Sequence, residues 1–254
     1  MRIKRQNTSL LVNDNVMRVY LASPDREGQY PGILFYSDIY QLGTPITRLA
    51  DHLAGYGFVV AAPEIYHRLL PIGTIIDPDD LGRIKGNEAA RKTDLSEFDQ
   101  DANAVINFLS QHESVMPKKI GTMGFCIGGH LAFRAAFNPQ VKGAVCVYPT
   151  GIHNGKLGRE KADTLERIKD IQGQVLLIFG TEDPHIPQEG RHLIIDSLNQ
   201  ADISHHVVTY IANHTFMRDD GYRFDPVATD LAWQEIIKFF QSVFLIHELY
   251  LTIL

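Results

Sequence analysis

Apolar and polar positions along the chain follow two different periods. Near the N-terminus, "SLLV" and "VMRVYLA" flank Asn13, Asp14 and Asn15, a pair of strand patterns joined by turn residues, which predicts a β-hairpin. Beyond it, short continuous apolar runs alternate with helical patterns. "GILFYS" (32–37) reads as a strand and leads to a helix with Thr44 as N-cap, Pro45 at its first position and Gly57 as its stop. "FVVAAP" (58–63) is the next strand, and a long irregular segment follows it. Leu95, Phe98, Ala102, Val105, Ile106 and Leu109 then share one face of a strongly amphipathic helix. "KIGTMGF" (119–125) is a strand and "IGGHLAFRAAF" (127–137) a helix stopped by Asn138-Pro139. "GAVCVYP", "QVLLIFG" and "HHVVTYI" are three more strands. The helical "PQEGRHLIIDSL" separates the last two, and a helix starting near Asp225-Pro226 closes the pattern.

Strands that are apolar throughout, alternating with helices, predict an α/β chain: a mainly parallel sheet covered on both faces. Ligands in such sheets sit outside the carboxyl ends of the strands. The residues just after each strand are therefore where chemistry is expected.

Composition narrows this picture. The 254 residues are 44% hydrophobic and 21% charged, with no internal repeat, low-complexity tract or linker, so residues 1–254 read as a single domain. Lys+Arg 24 against Asp+Glu 30 gives a net charge of −6, which argues against a nucleic-acid partner. Two cysteines make no disulfide framework, and a reducing, cytoplasmic setting is expected. "MRIKRQNTSL" has basic residues without an apolar core behind them, so it does not read as a signal peptide. The apolar "FLIHELYLTIL" at the other end is too short and too interrupted by His247 and Glu248 to span a bilayer. It reads as a docked helix end or, failing that, a subunit contact; the expected state is a monomer or weak homodimer.

Candidate chemistry gathers at the predicted strand ends. "GFCIGGH" puts Cys126 between a strand and a helix, the Gly-x-Cys-x-Gly form of the nucleophile elbow. Glycine is needed there because the flanking chains approach closely. The helix N-terminus favours a thiolate, and the Ile127 N–H is placed to donate to a developing oxyanion. "GTEDPHIP" presents Asp183 after one strand, and "NHTF" presents His214 after the last. The chain order nucleophile, acid, histidine is that of the α/β-hydrolase triad, with His214 as base and Asp183 holding its tautomer. Each residue also has a structural alternative. Cys126 fits a tight corner, Asp183 before Pro184 is a good turn residue with Glu182 and His185 beside it, and most of the 11 histidines are expected at surfaces. Three residue types at three strand ends in this order favour the triad. Cys146, in mid-strand, reads as structural.

These residues resemble the dienelactone hydrolase family, relatives of carboxymethylenebutenolidase, from about Arg18 to Phe240. "FCIGGH", "GTEDPHIP" and "HTFMR" carry the resemblance, with "PGILFYSDIYQLG" and "AAPEIYHR" in support. It implies an α/β-hydrolase fold and a Cys–His–Asp hydrolase, without cofactor or metal, that opens a small ester or enol-lactone through an acyl-cysteine. Matched by position, Cys126 is the nucleophile, His214 the base and Asp183 its acid. The Ile127 and Ile39 amides are the oxyanion donors. A family glutamate that holds the resting thiol is replaced by Asp38, one methylene shorter. Arg218 matches an arginine that binds the substrate carboxylate, with Arg83 near the place of a second. An ungapped match instead puts Ile84 there, and Glu88 at a substrate-binding tyrosine, a departure that leaves the substrate open. The expected partner is a small ester or lactone, with no membrane contact. Two other readings share the scaffold: a ligand-binding or thiol-sensing module without turnover, and a thioesterase or peptidase for larger acyl groups.

Overall fold

In the computed structural model, which describes residues 1–245, the two hydrophobic periods become one sheet and its flanking helices. The N-terminal hairpin is β1 (Ile3–Val12) and β2 (Asn15–Pro24). Asn13 and Asn15's other neighbour, Asp14, both take positive φ at its two-residue turn, the geometry that matches strand twist. β3 (Tyr30–Tyr36), β4 (Val59–Pro63), β5 (Val115–Phe125), β6 (Val141–Val147), β7 (Gln174–Gly180) and β8 (His205–Tyr210) follow. The sheet order is β1-β2-β4-β3-β5-β6-β7-β8. β1 and β2 pair antiparallel, β2 pairs antiparallel with β4, and every pairing from β4 to β8 is parallel.

Helices cover both faces. α3 (Leu95–Gln111) buries the predicted Phe98, Ala102, Val105, Ile106 and Leu109. α4 (Ile127–Ala135) lies on the face of β5 where the Thr122 hydroxyl donates to the Ala132 carbonyl. One residue earlier, a side chain on Gly121 would meet the Phe240 ring, so α6 (Pro226–Phe244) packs on the opposite face. There the His52 ring of α1 (Thr44–Gly55) lies 4.3 Å from Trp233 of α6. α5 (Gln188–Gln200) links β7 to β8. The apolar C-terminal run lies, from residue 246 on, outside the described residues.

Two local expectations change. Gly43, not Thr44, is the N-cap of α1, and Pro45 sits in its first turn. The segment read as irregular contains a helix, α2 (Asp80–Lys92), whose N-cap Asp79 accepts from the Gly82 N–H. Its buried face is Gly82, Gly86, Ala89 and Ala90, so it offers no apolar stripe to read. The glycines serve close packing instead: a Cβ on Gly86 would stand 2.5 Å from the Ile39 carbonyl oxygen.

Candidate active site

Parallel strands aim their carboxyl ends at one edge of the sheet, and the loops there bring the predicted residues together. Cys126 follows β5 and caps α4. Its φ of 58° and ψ of −122° are a conformation that L-residues rarely adopt, costing on the order of 1–3 kcal/mol. The elbow persists because its surroundings are tight. A Cβ on Gly124 would lie 2.1 Å from the Gly128 carbonyl oxygen, and one on Gly128 2.1 Å from that of Ser37. The Cys126 N–H donates to the Val147 carbonyl and its own carbonyl accepts from Thr150 N–H, both at 3.1 Å. These bonds tie the elbow between β5 and α4 to the end of β6 and the loop after it. The sulfur is half-buried and faces a cavity of about 1000 Å³.

His214 stands across that cavity, buried on the loop after β8. Its Nδ1–H donates to Asp183 Oδ2 at 2.7 Å, and the other oxygen of Asp183 accepts from the His185 N–H at 2.8 Å. The imidazole is thus held in one tautomer with Nε2 free for the sulfur. Burial alone opposes its protonation. The field of nearby Cys126, the hydrogen bond to Asp183 and the Asp183 charge outweigh this, and the His214 pKa is raised to about 10. The rings of Tyr148 and His185 pack edge-on against it, at 5.1 and 4.6 Å.

The Ile127 amide is the first of α4 and has no carbonyl one turn back to bond. Ile39 and Ile127, the residues expected to donate to the oxyanion, line the same cavity as Cys126. Asp38 and Arg218 also reach the site, in a different arrangement from the one expected. Asp38 is buried and does not hold the thiol: Oδ1 accepts from the Tyr40 N–H at 2.9 Å, and Oδ2 takes the Arg218 guanidinium. Burial pushes its carboxyl up, against the pull of Arg218 and the Tyr40 N–H. Arg218 is not a free fork for a substrate carboxylate either. It is buried between Asp38 and Asp220 and over the Tyr40 ring, 5.0 Å from its centroid. Its Nη2 donates to Asp220 Oδ2 at 3.3 Å, whereas Nε, 2.8 Å from Asp220 Oδ1, is too poorly aligned for a hydrogen bond, so the Asp220 contact is the looser one.

Arg83, on α2, lines the cavity while paired to Asp80 at 3.3 Å. Ile84 and Glu88 are exposed, and Glu88 pairs with Lys92 rather than entering the cavity. One contact of the sulfur escaped the sequence reading: the Thr150 hydroxyl, 3.9 Å from Sγ. Thr150 lies just beyond β6, where the strand-end rule directs attention. Behind it, His130 of α4 bonds the Thr150 carbonyl at 3.0 Å and the Thr164 hydroxyl at 2.7 Å. No cluster of side chains suited to a metal ion occurs among the described residues.

A strained elbow at a strand–helix turn, with a carboxylate-bound histidine on a later loop, defines an α/β-hydrolase, and the sheet order agrees. Within that class, the model of the Dienelactone hydrolase family matches residues 17–244, and the chain belongs to that family of hydrolases. It is 37% identical to a Saccharomyces cerevisiae protein named "Putative carboxymethylenebutenolidase", over 84% of this chain and 82% of the relative. A Synechocystis protein of the same name is 30% identical over 88% of this chain and 90% of its own length. Among solved structures, a dienelactone hydrolase-like promiscuous phosphotriesterase from metagenomic libraries superposes with a TM-score of 0.79 at 17% identity. It covers 96% of this chain and 99% of its own.

Proposed function

We propose that the chain hydrolyses a small ester or enol-lactone with Cys126 as nucleophile, His214 as base and Asp183 as the residue that orients it. The observation that carries this reading is the 2.7 Å His214–Asp183 bond, which leaves the other imidazole nitrogen free in a cavity shared with a cysteine held in a strained elbow. The family and the names of the relatives supply the substrate class.

The sulfur adds to the carbonyl, and the oxyanion is received by the Ile39 and Ile127 N–H groups. His214 accepts the thiol proton and passes it to the departing alkoxide or enolate. Water, deprotonated by His214, then cleaves the thioester and returns the free thiol. The sum is one water consumed per ester or lactone opened. Asp38 and Arg218 enter as a mutually neutralising pair that shapes the wall beside Ile39.

Intact-mass spectrometry after mixing with 4-nitrophenyl esters and enol-lactones tests the reading. It expects an acyl adduct on Cys126, and turnover that disappears in Cys126→Ala. Undiminished hydrolysis by Cys126→Ala, or neither adduct nor turnover with any substrate, would sink it.

A further inference from the structure

The cavity in front of Cys126 has a charge opposite to that of the chain. Seven Lys and Arg side chains line it against three Asp and Glu, in a protein whose formal net charge is −6. Its volume, about 1000 Å³, lies at the upper end for small-molecule sites and far exceeds a five-membered lactone ring. The inner cation, Arg218, is committed to Asp38 and Asp220. Arg83 and Arg159 are paired with Asp80 and Asp94. Arg91, Lys156, Lys161 and Arg223 line the cavity with no acidic partner within ion-pair distance among the described residues.

Two of these are held by a fixed hairpin. Lys156 and Lys161 face each other in an antiparallel bridge, with the Lys156 N–H on the Gly151 carbonyl and the Ala162 N–H on that of Gly155. Glycines at 151, 155 and 158 take the positive φ the hairpin requires. Its tip is tied down where the Arg159 N–H meets the Thr93 carbonyl at 3.0 Å and its guanidinium meets that of Lys92 at 2.9 Å. At its base, Gly151 follows Thr150, the residue that touches the nucleophile. The Lys156 charge reaches His153 on the same wall, and that of Arg223 reaches His185, which packs on His214.

We infer that Lys156 and Lys161, with Arg91 and Arg223, form an outer subsite that receives an anionic group of the substrate, a carboxylate or phosphate remote from the scissile carbonyl. The inference rests on the hydrolase reading above and adds to it the substrate class: a small acyl centre carried on a larger, negatively charged molecule. Arg218, neutralised by its two carboxylates, is then a wall of the acyl pocket and not the anion receptor.

The test compares mono(4-nitrophenyl) glutarate with neutral 4-nitrophenyl butyrate in the wild type, Lys156→Gln, Lys161→Gln and the double variant. A unit charge at contact distance in water corresponds to roughly fivefold, so the glutarate-to-butyrate ratio of kcat/KM should fall by about that factor per lysine. It should fall likewise between 20 mM and 500 mM salt, while butyrate hydrolysis stays within twofold. Rates of Cys126 alkylation by iodoacetate against iodoacetamide read the field of the same cations without turnover; Cys146 is fully buried and does not compete. Inorganic phosphate should protect the thiol in the wild type and not in the double variant, which separates phosphate from carboxylate recognition. Equal ratios in wild type and double variant would overturn the outer subsite. So would a preference lost only in Arg218→Gln. Absence of all ester hydrolysis with an intact iodoacetate ratio would refute the hydrolase reading and leave the outer subsite standing.

Discussion

His130 and His214 flank the same elbow, both almost fully buried, and end in opposite states. His130 sits between a carbonyl and a hydroxyl: Nδ1–H donates to Thr150, and Nε2 accepts from Thr164. Burial and the nearby Arg134 charge lower its pKa to about 3, outweighing its bond to Thr150, so it stays neutral. His214 sits between a carboxylate and a thiol, and its pKa is raised in spite of burial. Burial is common to the two, so it does not decide the charge. The partner does: a neutral acceptor leaves the desolvation cost uncompensated, whereas an anion in a weakly screened interior more than offsets it. The same chemical group is therefore a packed strut on one side of Cys126 and the proposed proton carrier on the other.

The largest expected effect separates the two directly. His214→Gln should lower turnover of an activated ester by on the order of 10⁴–10⁶-fold, whereas His130→Gln should change it by less than about tenfold. A folded His130→Gln protein that loses as much as His214→Gln would break the comparison. Asp183→Asn should cost on the order of 10⁴-fold in kcat, because the amide favours the wrong tautomer; a near-wild-type rate would show that Asp183 is a turn residue only.

Stability should reverse the ranking. His130→Leu strips the Thr150 carbonyl of its side-chain partner, at about 2–3 kcal/mol and roughly 5–10 °C in Tm by calorimetry. The two histidines also act at opposite ends of the pH scale. His130 has a depressed folded pKa, so its contribution is complete above 6.5 and is lost as pH falls toward about 3, by on the order of a few kcal/mol. His214 has a raised one, so its contribution is complete below 6.5 and is lost as pH rises through about 10. Urea unfolding across pH should show His130→Gln flattening the acid limb and Cys126→Ala flattening the alkaline limb; an unchanged acid limb in His130→Gln would refute the first half. The smallest effect belongs to the sulfur's neighbour. Thr150→Val should alter the Cys126 alkylation rate by about two- to fivefold, and Thr150→Ser should restore it.

Much of this was legible in the order of residues. The hairpin at Asn13-Asp14, the apolar strands and the helix bearing Phe98 and Val105 announce themselves through period and turn chemistry, because each element's own burial writes its pattern. Cys126, Asp183 and His214 were legible for a related reason: a parallel sheet sends its strand ends to one edge, so position after a strand already implies proximity. α2 was not legible, since it packs through glycine and alanine and leaves no apolar stripe. Neither was the Asp38–Arg218 pair, whose members lie 180 residues apart.

What the sequence by itself determined is the α/β architecture, the strained elbow and the identities of the three residues proposed for chemistry. These follow from local backbone preferences, hydrophobic period and topology. Only the tertiary structure decided the electrostatics: that Asp38 spends its charge on Arg218, that one buried histidine is neutral and another is not, and that the free lysines gather at the cavity mouth of an acidic protein. The strength of an interior charge depends on what stands within a few ångströms in space, and chain order does not record that distance.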